Sequence, residues 1–377
     1  MRTAVHIAAS ILLLAAQSQS AAPIVPSVEL AVPFAPVTFR QGDNHQLVYE
    51  LHITNFQSVD VVLTAVRIDG PKTMLAEYRG GLLEQRLVRP GLRNDHATPH
   101  IIGPGMRAVL NVWLAAPDGA FPPPSITHTV ELELQRATGA VRTTAQGAPA
   151  SVSFTAGVTI DAPLRGGSWV AIYDPLLKGG HRTAIYTLSG RARIPGRFAI
   201  DFIALPPGGA LPRGGGPRPA DANGFGTEVV AVADAVVAAA VDGIADHMPQ
   251  PVATEIASGN YVSLDLGGDR FAFYEHLQQG SVVVKPGERV RRGEVLAKLG
   301  ASGSTSIGAH LHFHVADANA TLEAEGMPFV FRHFTVLGDF SSIGALIGGE
   351  SWRPSQVARP AESSRPAPNA VIAFPPR

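Results

Sequence analysis

The 377-residue chain contains no cysteine. That excludes disulfides, cysteine-based zinc sites, thiol nucleophiles and a lipid-modified N-terminal cysteine, so any metal must be held by His, Asp or Glu. An excess of one charge is also missing, because 30 Lys and Arg stand against 31 Asp and Glu. No polyanionic partner such as nucleic acid is implied, and electrostatics must act locally. Beyond the first residues there is no uncharged apolar run long enough to span a bilayer. The start, "MRTAVHIAASILLLAAQSQSAAP", has Arg2, an apolar run from Ile11 to Ala16 and small residues around Ser20 to Ala22. It reads as a signal peptide over residues 1–22, which implies a secreted or periplasmic mature chain without an integral membrane span.

The length allows two domains with separate cores. From about Pro26 to Ala156 the segments "HQLVYELHITNF", "VVLTAVRI", "RAVLNVWLA" and "THTVELELQ" alternate or are rich in β-branched residues, with Gly, Pro, Asn and Asp between them. They predict an immunoglobulin-like β-sandwich over residues 24–160, without the Cys-Trp-Cys core of antibody domains. A polar stretch, "ATGAVRTTAQGAP", precedes "SVSFTAGVTI", the last expected strand, and "DAPLRGG" reads as the linker. A second unit over residues 167–340 is again strand-rich, giving an all-β chain. Leu205 to Gly226 reads as a Gly/Pro loop, and residues 350–377 as a proline-rich tail with no fold of its own.

Chemistry concentrates in "GAHLHFHV", where His310, His312 and His314 occupy every second position. On a strand all three imidazoles share one face, while Leu311, Phe313 and Val315 point into an apolar layer. A lone histidine there would read as a solvated residue. His-x-His between strictly alternating apolar residues points instead to metal binding or acid/base work.

The segment from Gly259 to Val315 resembles the catalytic domain of the lysostaphin/LytM-type zinc metallopeptidases. The resemblance is carried by "YEHL", "VKPGERVRRGE" and "GAHLHF" in that order, and it extends over about Gly167 to Asp339. It implies an antiparallel β-domain of the duplicated hybrid motif type, one zinc ion per chain, and hydrolysis of peptide bonds, with peptidoglycan or peptide as substrate. By position, the resemblance makes Asp201 and His312 zinc ligands, with His276 and His310 acting beside them on the attacking water and the oxyanion. The N-terminal domain would then position the enzyme or contact cell-envelope proteins.

One departure stands out. The family places a histidine ligand four residues before its aspartate, and here that position is Arg197. A guanidinium has no free lone pair and cannot bind zinc. His181, twenty residues before Asp201 (201 − 181 = 20), is the nearest replacement in sequence, against its reading as an exposed loop histidine. His314 lies further along the strand, and His247 reads as a turn residue. Arg197 could pair with Asp201, or bind a substrate carboxylate or an oxyanion. Alternatively the metal site is lost, and the domain binds wall peptide or regulates another hydrolase. Glu275 is expected on the opposite strand face and solvated, Asp265 and Asp269 in a turn, and "GASGSTSIG" as a groove wall. His45, His52, His96, His100 and His128 show no ligand spacing.

Overall fold

Alternation in "HQLVYELHITNF" becomes the strand Asn44–Asn55 (β1). Here and below, the chain is described from a computed structural model over residues 27–92, 97–115, 122–154, 157–206, 209–210, 218–248, 257–304 and 308–376. The signal-like residues 1–22, His96 and part of the "GASGSTSIG" loop lie outside them. Further strands of the first unit are Val61–Asp69 (β2), Arg107–Ala115 (β3), Ser125–Arg136 (β4) and Gly139–Ser151 (β5). β1 pairs with β3, while β4 lies between β2 and β5, all antiparallel. Two sheets result, and Leu51 and Ile53 of one meet Val66, Val130 and Leu132 of the other in a shared core. The polar stretch expected between strands is itself most of β5. Its alternating Thr and Ala residues fold back on β4 in a hairpin that pairs Gly139 with Arg136.

The second unit is built on one large sheet. Its strands include Trp169–Ile172 (β6), Ile200–Ala204 (β7), Ala235–Val241 (β8), Asn260–Asp265 (β9), Phe271–Leu277 (β10), Leu311–Ala316 (β11) and Phe329–Asp339 (β12). Across the sheet β6, β7, β11, β10, β9 and β8 follow one another, all antiparallel. Leu311, Phe313 and Val315 enter the core beneath, as their alternation requires.

Two expected boundaries move. Val158–Ile160, expected to close the sandwich, pairs in parallel with Phe329 to Phe331 and so belongs to the second sheet. The proline-rich tail also folds, as Arg353–Ser364 (β13) and Ala370–Ala373 (β14). β14 lies between β6 and β12 and buries Val371 and Ile372. Among the described residues β13 pairs only with β12, and an edge strand tolerates proline because its outer N–H positions need no partner.

The two units share apolar contacts. Phe39 of the first packs edge-on against Phe198 of the second at 5.8 Å between ring centroids, and Trp113 lies 5.8 Å from Tyr173.

Candidate metal centre

The register of β7 on β11 places Asp201 directly opposite His312. Both are 6% exposed. His312 Nδ1 lies 2.9 Å from Asp201 Oδ1, and His181 Nε2 lies 2.8 Å from Asp201 Oδ2. One carboxylate is thus bracketed by two imidazoles, with a ligand atom of each residue within 4.8 Å of the others. Two imidazoles and a carboxylate are the donor set of three-ligand zinc sites, so the residues fit the metal that the sequence implies.

His181 reaches this position from a short 3-10 turn, His181–Thr183, packed against a second turn, Pro195–Phe198, that leads into β7. Gly196 makes the approach possible, since a Cβ there would lie 2.9 Å from that of His181. The His181 side chain is 39% exposed, so one side of the cluster opens outward. A cavity of about 170 Å³ lies there, lined by Tyr173, His181, Asp201, His276, Ser304 and His310 among others.

His276 and His310 stand beside this cluster, with ring centroids 4.7 Å apart. His276 donates its Nδ1–H to the Ser302 carbonyl at 2.8 Å, and His310 donates its Nδ1–H to the Gly308 carbonyl at 2.8 Å. A carbonyl can only accept, so in each neutral ring the lone pair is left on Nε2. Burial pushes both below the usual histidine range, furthest for His276, and keeps them neutral at rest. At Asp201 burial would raise the carboxyl, but the neighbouring imidazoles outweigh it and hold it well below the usual range.

Residues 221–323 match the family model of Peptidase family M23. Over this stretch the chain is similar to peptidase family M23. The stretch contains His276, His310 and His312, while His181 and Asp201 precede it. No curated protein matches the chain. Solved structures similar to it include the catalytic domain of the prophage-encoded M23 protein EnpA from Enterococcus faecalis, at 18% identity over 45% of this chain and 93% of that one, TM-score 0.26. The catalytic domain of lysostaphin from Staphylococcus simulans is 18% identical over 43% of this chain and 88% of that one, TM-score 0.24. A zinc-containing peptidase from Vibrio cholerae is 17% identical over 80% and 87%, TM-score 0.26.

Around this site several residues depart from their sequence reading. Arg197 is buried and turned to carboxylates: its Nε donates to Glu50 Oε2 at 3.0 Å and its Nη1 to Glu325 Oε2 at 2.8 Å. It pairs with Glu50 and Glu325 rather than Asp201, and it also lines the cavity beside His181. Glu275 does leave the core face, but the face it joins is the site: it is 7% exposed and paired across the sheet with His312. Burial raises its carboxyl above the usual range. His276 follows at φ 61°, where the pairing of β9 with β10 shifts register, so two successive side chains both reach the site. His314 is buried, stacked on Phe273 at 4.8 Å, with Nδ1 3.1 Å from His312 Nε2. His247 stays apart, its ring on the carbonyls of Met248 and Gly303. His128 is buried in the sandwich against the Tyr49 hydroxyl at 2.9 Å. No spacing rule links Arg197 to Glu50, 147 residues away.

Proposed function

We propose that the protein is an exported zinc-dependent peptidase that cleaves peptide bonds in peptidoglycan, using one zinc per chain held by His181, Asp201 and His312. The observation that carries this reading is the Asp201 carboxylate bracketed by His181 and His312 at 2.8 and 2.9 Å. It supplies a third donor where Arg197 removed one. Zinc in such a set acts as a Lewis acid toward a carbonyl and lowers the pKa of water to about 7.

The chain's own groups then manage the proton. A neutral His276 or His310 accepts it at Nε2 from the attacking water, while its Nδ1–H stays on the backbone carbonyl. The protonated ring can stabilise the developing oxyanion and return the proton from Nε2 to the leaving amine nitrogen. Burial favours that return, because it disfavours the charged ring.

Peptidoglycan is the substrate class that the M23 match and the signal-like start together favour. A module that only binds wall peptide or regulates another hydrolase is the competing reading, and a full donor set beside two neutral histidines favours hydrolysis over it. The test is release of new amino groups from purified peptidoglycan by the mature protein. Activity abolished by a chelator, restored by zinc and missing from Asp201→Ala supports the proposal; binding without release by the zinc-loaded protein would refute it.

A further inference from the structure

His181 sits on a three-residue turn with no side-chain cap, too short to hold its own shape. Besides the Thr183 hydroxyl on the Gly180 carbonyl, it has an anchor in the other unit. The next residue, Arg182, is 5% exposed and sends its guanidinium into the sandwich. Its Nη2 donates to the carbonyls of Tyr49 and Val112 at 2.9 and 2.7 Å, and lies 3.4 Å from Glu50 Oε1. Tyr49 and Val112 are paired residues of β1 and β3, so the anchor grips a sheet rather than a loop. The guanidinium also lies 5.2 Å from the centre of the Trp113 ring.

Glu50 closes the arrangement. Its carboxylate, 1% exposed, accepts from Arg197 Nε at 3.2 and 3.0 Å. Arg197 belongs to the turn that leads to Asp201, and its neighbour Gly196 carries the close contact with His181. One side chain of the sandwich therefore ties together the turn bearing His181 and the turn preceding Asp201. At Glu50 burial would raise the carboxyl, but Arg197 and Arg182 outweigh it and hold it ionised.

We propose that Glu50 and Arg182 are positioning residues for the metal centre, through which the N-terminal sandwich sets the place of His181 and hence the affinity for zinc. This rests on the reading of His181, Asp201 and His312 as zinc ligands. Residues behind a ligand commonly change metal affinity 10- to 100-fold without touching the ion.

The test uses the full chain. Zinc affinity is measured by chelator competition, and the visible spectrum is recorded on the cobalt-loaded protein, for wild type, Arg182→Lys, Glu50→Gln and His181→Ala. Val130→Ala, in the sandwich core, controls for destabilisation alone. Arg182→Lys and Glu50→Gln should weaken zinc about 10- to 100-fold and alter the cobalt spectrum, while Val130→Ala keeps the wild-type values at a comparable loss in melting temperature. Combining Arg182→Lys with His181→Ala should cost no more zinc affinity than His181→Ala alone, because Arg182 acts through that ligand. Unchanged affinity in Arg182→Lys and Glu50→Gln, equal loss in Val130→Ala, or additive loss in the double variant would overturn the proposal while the zinc reading stands. Failure of the wild type to take up zinc would remove both.

Discussion

Gly196→Ala should damage the metal centre while leaving the fold in place. The added Cβ would sit 2.9 Å from His181 Cβ and 3.5 Å from its Cγ, whereas carbon atoms rest at about 3.5–4.0 Å. Relief requires a relative shift of roughly 0.6–1 Å, and the atom met is the root of the His181 side chain rather than a flexible end. Overpacking of this kind costs about 1–3 kcal/mol, partly offset by about 0.4–1 kcal/mol from the lower freedom of alanine in the unfolded chain. A net loss of about 0–2.6 kcal/mol leaves a domain with ordinary stability folded. A misplacement near 1 Å in a reacting constellation can cost about 100-fold in rate. Chelator-competition titration and peptide release, run beside thermal melting, separate the two effects. Wild-type zinc affinity and turnover in a folded Gly196→Ala protein would refute the claim that this glycine sets the place of His181.

Other expectations follow from the same contacts. Glu50 has a folded-state pKa below its ordinary value near 4.5, so its stabilisation is full above the unfolded pKa and is lost as pH falls through the folded one. Melting temperature followed downward from pH 6 should drop more steeply in wild type than in Glu50→Gln, and parallel curves would count against the buried pairs. His314 Nδ1 faces His312 Nε2 at 3.1 Å and can accept its N–H, leaving Nδ1 of His312 as the ligand atom. His314→Ala should therefore weaken zinc about 10- to 100-fold, and an unchanged affinity would leave His314 as packing alone. Removing residues 353–377 takes β14 out from between β6 and β12, with Val371 and Ile372 worth about 1.5–3 kcal/mol each. The truncated chain should lose its cooperative melt, and a native-like transition would contradict the inner placement of β14.

The strand-rich character and the shared face of His310, His312 and His314 were legible because both depend on the two-residue period of a strand. Asp201 and His276 were legible through resemblance. What escaped depends on local irregularity or distance. The positive φ of His276 and the register shift beside it put Glu275 into the site face. The tail reads as unstructured because prolines dominate its composition, although an edge strand admits them and the short apolar β14 supplies the burial. Arg365, inside that tail, is 1% exposed and donates to the Phe198 carbonyl at 2.8 Å, bracing the turn before Asp201. Arg197 was visible as a departure, but its partner Glu50 lies on a strand of the other unit. Arg197 serves as an interface cation, and the adjoining turn brings His181 to Asp201.

Zinc stoichiometry of the purified mature protein, measured by elemental analysis beside Asp201→Ala, His312→Ala and His181→Ala, tests the central claim most directly. One zinc per chain in wild type, lost or greatly weakened in each variant, is the expected result. A full zinc complement in His181→Ala, or none in reconstituted wild type, would contradict it.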